Sequence, residues 1–363
     1  MDPVADDGAV TPEPSSQVAP KPEMSSSDSA RLDRTLSIAV WSLALIVVLF
    51  AAFFGYSVYA QKQAARLANP ALQAVDALQS QVNKKPGDAE LHSRLAEALA
   101  TASELDQARA ELVAAIKLDP KYVGAYQNLA TIELAQENYK DSAAHWQKVL
   151  DLTKDSQMQD VNQRRDLAYF SLGQISLVQK DYVGAVGYFN AAIRIRKDAS
   201  DTYLLLAKSY MGLGQNEQAM EKVTAALAFE PNYAEAHYVR GKLYLLAGRK
   251  VDAAWDFRAA LDGAPDNPEA QAAIESLGSF ESAFGTATSA WASHETSAAL
   301  DAVQIARSIT PGSYDAAMLH GKILESIGEA KDAVAAYTIA LKAKPADPAA
   351  TTALKRAQAA SKE

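Results

Sequence analysis

The chain has 363 residues, 49% of them hydrophobic, 22% charged and 8% aromatic, which is too apolar for a disordered chain and too charged for a polytopic membrane protein. A net charge of −9 lacks the basic footprint of sequence-independent nucleic-acid binding. The absence of cysteine excludes disulfides, thiolate metal sites, thioether-linked haem and cysteine nucleophiles.

Residues 1–34 are rich in Pro, Ser, Asp and Glu and carry seven acidic and three basic side chains without periodicity. Such a segment buries too little apolar area to offset its ordering entropy, so a disordered acidic tail is expected. Residues 35–60 are expected to form a transmembrane helix. Leu36–Ala60 is a run of 25 residues without a charge, and at about 1.5 Å per residue it reaches roughly 37 Å, enough for a hydrocarbon core of about 30 Å. Trp41 at one end and Tyr56 and Tyr59 at the other suit the headgroup regions. The run is too long and too far along the chain for a signal-peptide core, and it has no polar stripe for a buried helix. Lys21, Arg31 and Arg34 before it outnumber Lys62 and Arg66 after it, which favours a cytoplasmic N-terminus and an extracytoplasmic C-terminal part. Ala51 and Gly55 have the spacing that lets two such helices approach closely, a route to homodimerisation.

Residues 61–88 read as a linker and a lone helix. Beyond them the chain repeats. Pro86 and Pro120, Pro231 and Pro265, and Pro311 and Pro345 are each separated by 34 residues. The intervals carry equivalent side chains: Leu95-Ala96, Leu99, Ala108, Leu112 and Ala115 before Pro120, and Leu206-Ala207, Tyr210, Gly214, Ala219, Val223 and Ala226 before Pro231. Before Pro265 stand His237, Gly241, Tyr244, Gly248, Ala253, Phe257 and Ala260, and before Pro345 stand Gly321, Leu324, Gly328, Ala333, Tyr337 and Ala340. Two units without the proline keep the frame, with Tyr126, Leu129-Ala130, Tyr139 and Trp146 in one and Tyr169, Leu172-Gly173, Tyr182, Ala185 and Phe189 in the other.

This pattern resembles the tetratricopeptide repeat (TPR). The resemblance implies an all-α fold, a solenoid of helix-turn-helix units wound as a right-handed superhelix. The units divide as 89–154 (two), an insertion at 155–165, 166–265 (three), an insertion with a degenerate unit at 266–311, a last unit at 312–345 and a capping helix at 346–363. Small residues at the eighth and twentieth positions let the two helices of a unit approach, and Gly or polar residues near the fifteenth turn the chain.

Nothing points to catalysis, and no enzyme, cofactor or metal is expected. The five histidines lie in different units without H-x-x-x-H spacing, and neither a nucleophile elbow nor a phosphate-binding glycine loop is present. What remains is the concave face, which the resemblance assigns to the second, fifth, ninth, twelfth and thirteenth positions of each first helix. These supply Phe170, Gln174 and Leu177; Leu204, Lys208 and Met211; Tyr238, Lys242 and Leu245; and Met318 and Lys322. Apolar groups beside a recurring lysine suit an extended or acidic protein or peptide partner. Asn128 matches one element of the chaperone-tail carboxylate clamp, but its lysine and arginine partners are missing. The layout is similar to bacterial membrane-anchored TPR assembly factors and implies a scaffold for assembling a membrane or extracytoplasmic complex. A self-assembling structural subunit and a receptor for a small anionic ligand or glycan stay open beside it.

Overall fold

The computed structural model describes residues 26–155 and 159–362, so most of the expected acidic tail lies outside the described residues. Among the described residues there are helices and no strands. The first helix, α1 (Ser26–Ala68), starts earlier than the tail boundary at residue 34 and continues past the apolar run. Its stretch Leu43–Gln61 has a mean hydropathy of 2.2 and no buried residue, which makes it long and apolar enough to cross a membrane. Phe50, Phe53, Phe54 and Tyr56 all stand exposed around it.

Next comes α2 (Pro70–Lys84), whose Pro70 occupies the first turn, where a missing N–H costs nothing, while Asn69 Oδ1 accepts from the Ala71 amide at 3.0 Å. Val75 and Val82 pack into one cluster with Leu91, Leu95 and Leu112. Seven helix pairs then follow: α3 (Ala89–Thr101) with α4 (Leu105–Leu118), α5 (Val123–Ala135) with α6 (Tyr139–Thr153), and α7 (Gln159–Val178) with α8 (Tyr182–Ile195). They continue through α9 (Ser200–Gly212) with α10 (Asn216–Phe229) and α11 (Ala234–Leu246) with α12 (Lys250–Gly263). After a short α13 (Pro268–Glu275) come α14 (Phe280–Ala292) with α15 (Thr296–Ile309), α16 (Tyr314–Ser326) with α17 (Ala330–Ala343), and the final α18 (Pro348–Ala360). Part of the expected insertion at 155–165 is therefore helical, because α7 starts at Gln159 and runs straight into the third unit.

Each pair closes on the same small contact. At the eighth and twentieth positions Ala96 faces Ala108, Ala207 faces Ala219 and Ala287 faces Ala299, all with no exposed surface. Where the twenty-fourth position is Phe189, Phe257 or Tyr337, the eighth is glycine, and the ring takes the space of the missing Cβ. A Cβ on Gly173 would lie 2.6 Å from Phe189, one on Gly241 2.6 Å from Phe257, and one on Gly321 closer still to Tyr337. With Leu112, Val223 and Val303 at that position, alanine fits. In the second pair Trp146 is buried beside Ala130, and Ser142 stands at the twentieth position with its hydroxyl donating to the Ala130 carbonyl at 2.8 Å.

The turn between paired helices is also uniform. In all seven units the fifteenth residue is left-handed, glycine in three (Gly214, Gly248, Gly328) and Ser103, Glu137, Lys180 or His294 in the others, with φ between 58° and 85°. The next amide reaches back to the eleventh carbonyl, as in Glu104 to Leu99 at 2.8 Å and Glu295 to Ala290 at 2.9 Å, which closes the Schellman motif. The unit built by α14 and α15, degenerate in sequence, thus keeps both the small contact and the turn.

Candidate functional site

Helices α7, α9 and α11 lie side by side as the first members of their pairs, and between them opens a cleft of about 490 Å³. Five expected groove residues line it: Leu177, Lys208, Met211, Tyr238 and Lys242. The sequence reading missed Lys180 and Tyr182 at the α7–α8 turn, Val178, Gly212 and Val239 on the walls, and the carboxylates Glu235 and Glu269. Gly212 is needed because the Tyr182 ring covers the place its Cβ would take. Glu235 occupies the second position of its unit, one of the groove positions, so charge at that position was the available signal. Glu269 belongs to α13, whose helix phase was hidden inside an expected insertion.

The lysines of this cleft are engaged in different ways. Lys208 forms an ion pair with Glu235, contributed by the next first helix, a partner that a search four residues upstream does not find. Lys242 is exposed, with its ammonium 5.3 Å from the centre of the Tyr238 ring. Burial, followed by the carboxylate of Glu269 that accepts from the Tyr238 hydroxyl, pushes the Tyr238 phenol above its ordinary range. The cleft therefore offers an apolar floor with cations and anions along its rim.

Other expected residues fall elsewhere. Leu204 is 1% exposed and sinks into the cluster of Val239 and Leu243, with Tyr238 packed against it, so it is core rather than groove. Phe170 is half-buried with its ring edge-on to Phe189 at 6.1 Å, and Gln174 is half-buried on the same helix. Leu245 stands exposed on α11 outside the cleft lining. Met318 and Lys322 line a separate cleft of about 410 Å³ with Phe284, Trp291 and Tyr314. Asn128 gives its amide to Glu97 at 2.7 Å, so it is spent within the array.

The histidines hold helices together. His92 and His237 sit at the fourth position of their units, each between a carboxylate (Glu111 at 2.6 Å, Asp256 at 2.9 Å) and the preceding unit's proline carbonyl. His145 contacts the buried Glu133 at 2.6 Å, and His294 is a turn residue. His320 is buried against Arg307, and burial together with that neighbouring charge lowers its pKa to about 4. Among the described residues no group of three or more acidic or histidine side chains is placed to hold a metal ion.

A family model for the tetratricopeptide repeat matches residues 128–201, 204–268 and 284–348, leaving 269–283, which holds α13 after its first residue, unmatched. Curated proteins that share part of the array include the following two. A CTR9 homolog of Arabidopsis thaliana is 33% identical over 87 residues, covering 23% of this chain and 8% of that protein. A DnaJ homolog subfamily C member 3 homolog of Dictyostelium discoideum is 24% identical over 168 residues, covering 45% of this chain and 34% of that protein. The chain thus spans only a minor part of either relative. Similar solved structures include YrrB, described as having an unusual peptide-binding site, with 21% identity and a TM-score of 0.47 over 56% of this chain and 100% of YrrB. Pseudomonas aeruginosa PilF has 20% identity and a TM-score of 0.48 over 60% of this chain and 95% of PilF.

Proposed function

The chain belongs to the tetratricopeptide repeat family, whose arrays mediate protein–protein interaction, and from that premise we propose that it is a membrane-anchored docking scaffold that binds through the cleft between α7, α9 and α11. The observation that carries the reading is the composition of that cleft. Leu177, Met211, Tyr238 and Val239 supply an apolar floor, and Lys180 and Lys242 stand at its rim beyond the Lys208–Glu235 pair. An extended segment with apolar side chains and a carboxylate meets both requirements. The exposed apolar stretch of α1 is the proposed anchor; it holds the array at the bilayer and raises the local concentration of partners there. The excess of basic residues before that stretch supports a cytoplasmic N-terminus and an extracytoplasmic array working in the assembly of a membrane or extracytoplasmic complex.

A photo-crosslinking side chain placed at Tyr238 in the full chain, expressed in its own membranes, tests this reading. Capture of a discrete partner from Tyr238, with none from the exposed Glu221 on α10, is the expected result. Equal labelling from both positions, or none from Tyr238, contradicts groove docking. Protease digestion of intact and permeabilised cells tests the sidedness: the array is expected to be cut before permeabilisation of the inner membrane, and protection until then reverses the orientation.

A further inference from the structure

Among the described residues two first-phase helices, α13 and α18, are not paired with a second helix of their own, and they are built alike. Both α13 and α18 follow a proline (Pro265, Pro345) and have an Asn or Asp cap (Asn267, Asp347) and a proline in the first turn (Pro268, Pro348). Ala270 and Ala350 then stand in the same place, each with no exposed surface. Both helices are thus in the phase of a first helix. At the eighth position, where each paired first helix has Gly or Ala, they carry the exposed charged residues Glu275 and Lys355, which keep a second helix from closing in. The helix α18 packs its Ala350, Ala353 and Ala357 against Tyr337 and Ala340 of α17. In the same way α13 packs Ala270 and Ile274 against Phe257 and Leu261 of α12, interrupts the run of pairs after the fifth, and bounds the first cleft with Glu269. The next pair joins through its second helix instead: Arg258 of α12 donates to the Ser308 carbonyl of α15 at 2.9 Å, and Ile309 packs with the α12–α13 cluster.

Taking the groove reading above as its basis, we infer that the concave surface is two grooves, and that the second, built by α14, α16 and α18, docks a short segment carrying a bulky apolar side chain beside a carboxylate. Phe284, Trp291 and Tyr314, with Met318, line this groove with a phenylalanine and an indole ring where the first has only tyrosines. Beside the cleft of about 410 Å³ lies one of about 560 Å³ whose lining shares Trp291 and Lys322 with it. Charge fixes the complement. Glu325 is taken by the two guanidinium bonds from Arg356, at 2.8 and 2.6 Å, and by the Tyr337 hydroxyl at 2.6 Å. Asp315 lies in the first turn of α16, where the helix dipole offsets it. Lys322 is exposed beside Trp291 and enters no ion pair among the described residues. A carboxylate fits the ammonium while an apolar side chain lies on the indole.

The test uses the full chain in detergent micelles and an array of hexapeptides, each with one Phe, Trp or Leu flanked by Asp, by Lys or by Ser, run on the wild type and on Tyr238→Glu. Asp-flanked peptides are expected to bind about tenfold tighter than Lys-flanked ones in both backgrounds. In the Tyr238→Glu background, where the first groove is blocked, Lys322→Glu should invert the preference and Trp291→Ala should abolish binding. Lys322→Gln, which keeps the length of the side chain, should erase the preference with helical circular dichroism unchanged. Absence of binding, no preference for Asp flanks, or a preference that survives Lys322→Glu overturns the second groove as drawn. Binding lost with Tyr238→Glu also overturns it, since that result requires one continuous surface. Because the readouts are taken in the Tyr238→Glu background as well, a failure of the first groove leaves them intact.

Discussion

The five pairs before α13 and the two pairs after it are assembled from one unit, yet their grooves differ. The first has tyrosines, Met211 and alternating Lys and Glu; the second has Phe284, Trp291 and Tyr314 around a single unpaired lysine. The residues between paired helices scarcely change along the chain: small at the eighth and twentieth positions, left-handed at the fifteenth. Close packing leaves little freedom there, whereas a side chain facing solvent is free to vary. The repeat thus fixes how units stack and leaves open what each groove holds.

The largest expected effect comes from emptying one core on each side of α13. Phe257→Ala and Tyr337→Ala each remove a fully buried ring and should cost about 3–5 kcal/mol. Hydrogen exchange should show Phe257→Ala loosening α11 and α12 and Tyr337→Ala loosening α16 and α17, each more than the other. Equal loosening throughout would make the solenoid one cooperative body and erase the distinction. Next is Gly321→Ala, whose added methyl meets the Tyr337 ring; a loss of about 1–3 kcal/mol in urea unfolding is expected. Ala287→Gly in the neighbouring unit, where Val303 stands in place of a ring, should cost about 2 kcal/mol, the intrinsic helix penalty plus one lost buried methyl.

Acid should weaken the second side through His320. His320 titrates near 4 in the folded chain and near 6.5 when unfolded, because burial and then the Arg307 charge disfavour its protonation. The unfolded state therefore binds the proton more readily. The stability held above the unfolded value is lost as pH falls from about 6.5 towards 4, by about 3 kcal/mol. His320→Gln should flatten that part of the wild-type curve, and a difference curve independent of pH would contradict the assignment. The smallest effect is at the turns. His294→Gly relieves a left-handed non-glycine residue and should stabilise by about 0.5–1 kcal/mol in thermal melts, while Gly328→Ala should cost a similar amount.

Much of the fold was legible because its constraints are steric and local. The proline intervals, the Ala and Gly contacts and the turn residues all appear in one dimension. The unit from Phe280 to Ile309 was harder to read, since Thr286 and Ala290 replace the usual large residues while the contact Ala287–Ala299 persists. The α13 cap was missed because eight residues are too few to display a period. For the site, register placed Lys208, Tyr238 and Lys242 in one cleft, but register does not report depth. Leu204 shares the fifth position with Tyr238 and is buried because a shorter side chain there is overlaid by its neighbours. Nor does it reveal pairing between units, which is how Glu235 came to neutralise Lys208.

Docking of a protein partner in the first cleft is open to a decisive test. Its most direct measurement is co-purification of the crosslink-identified partner with the full chain and with Tyr238→Glu, with helical content checked by circular dichroism. The account predicts at least about a tenfold loss of partner with the array intact. Retention of the partner within about twofold, at unchanged helicity, would contradict it.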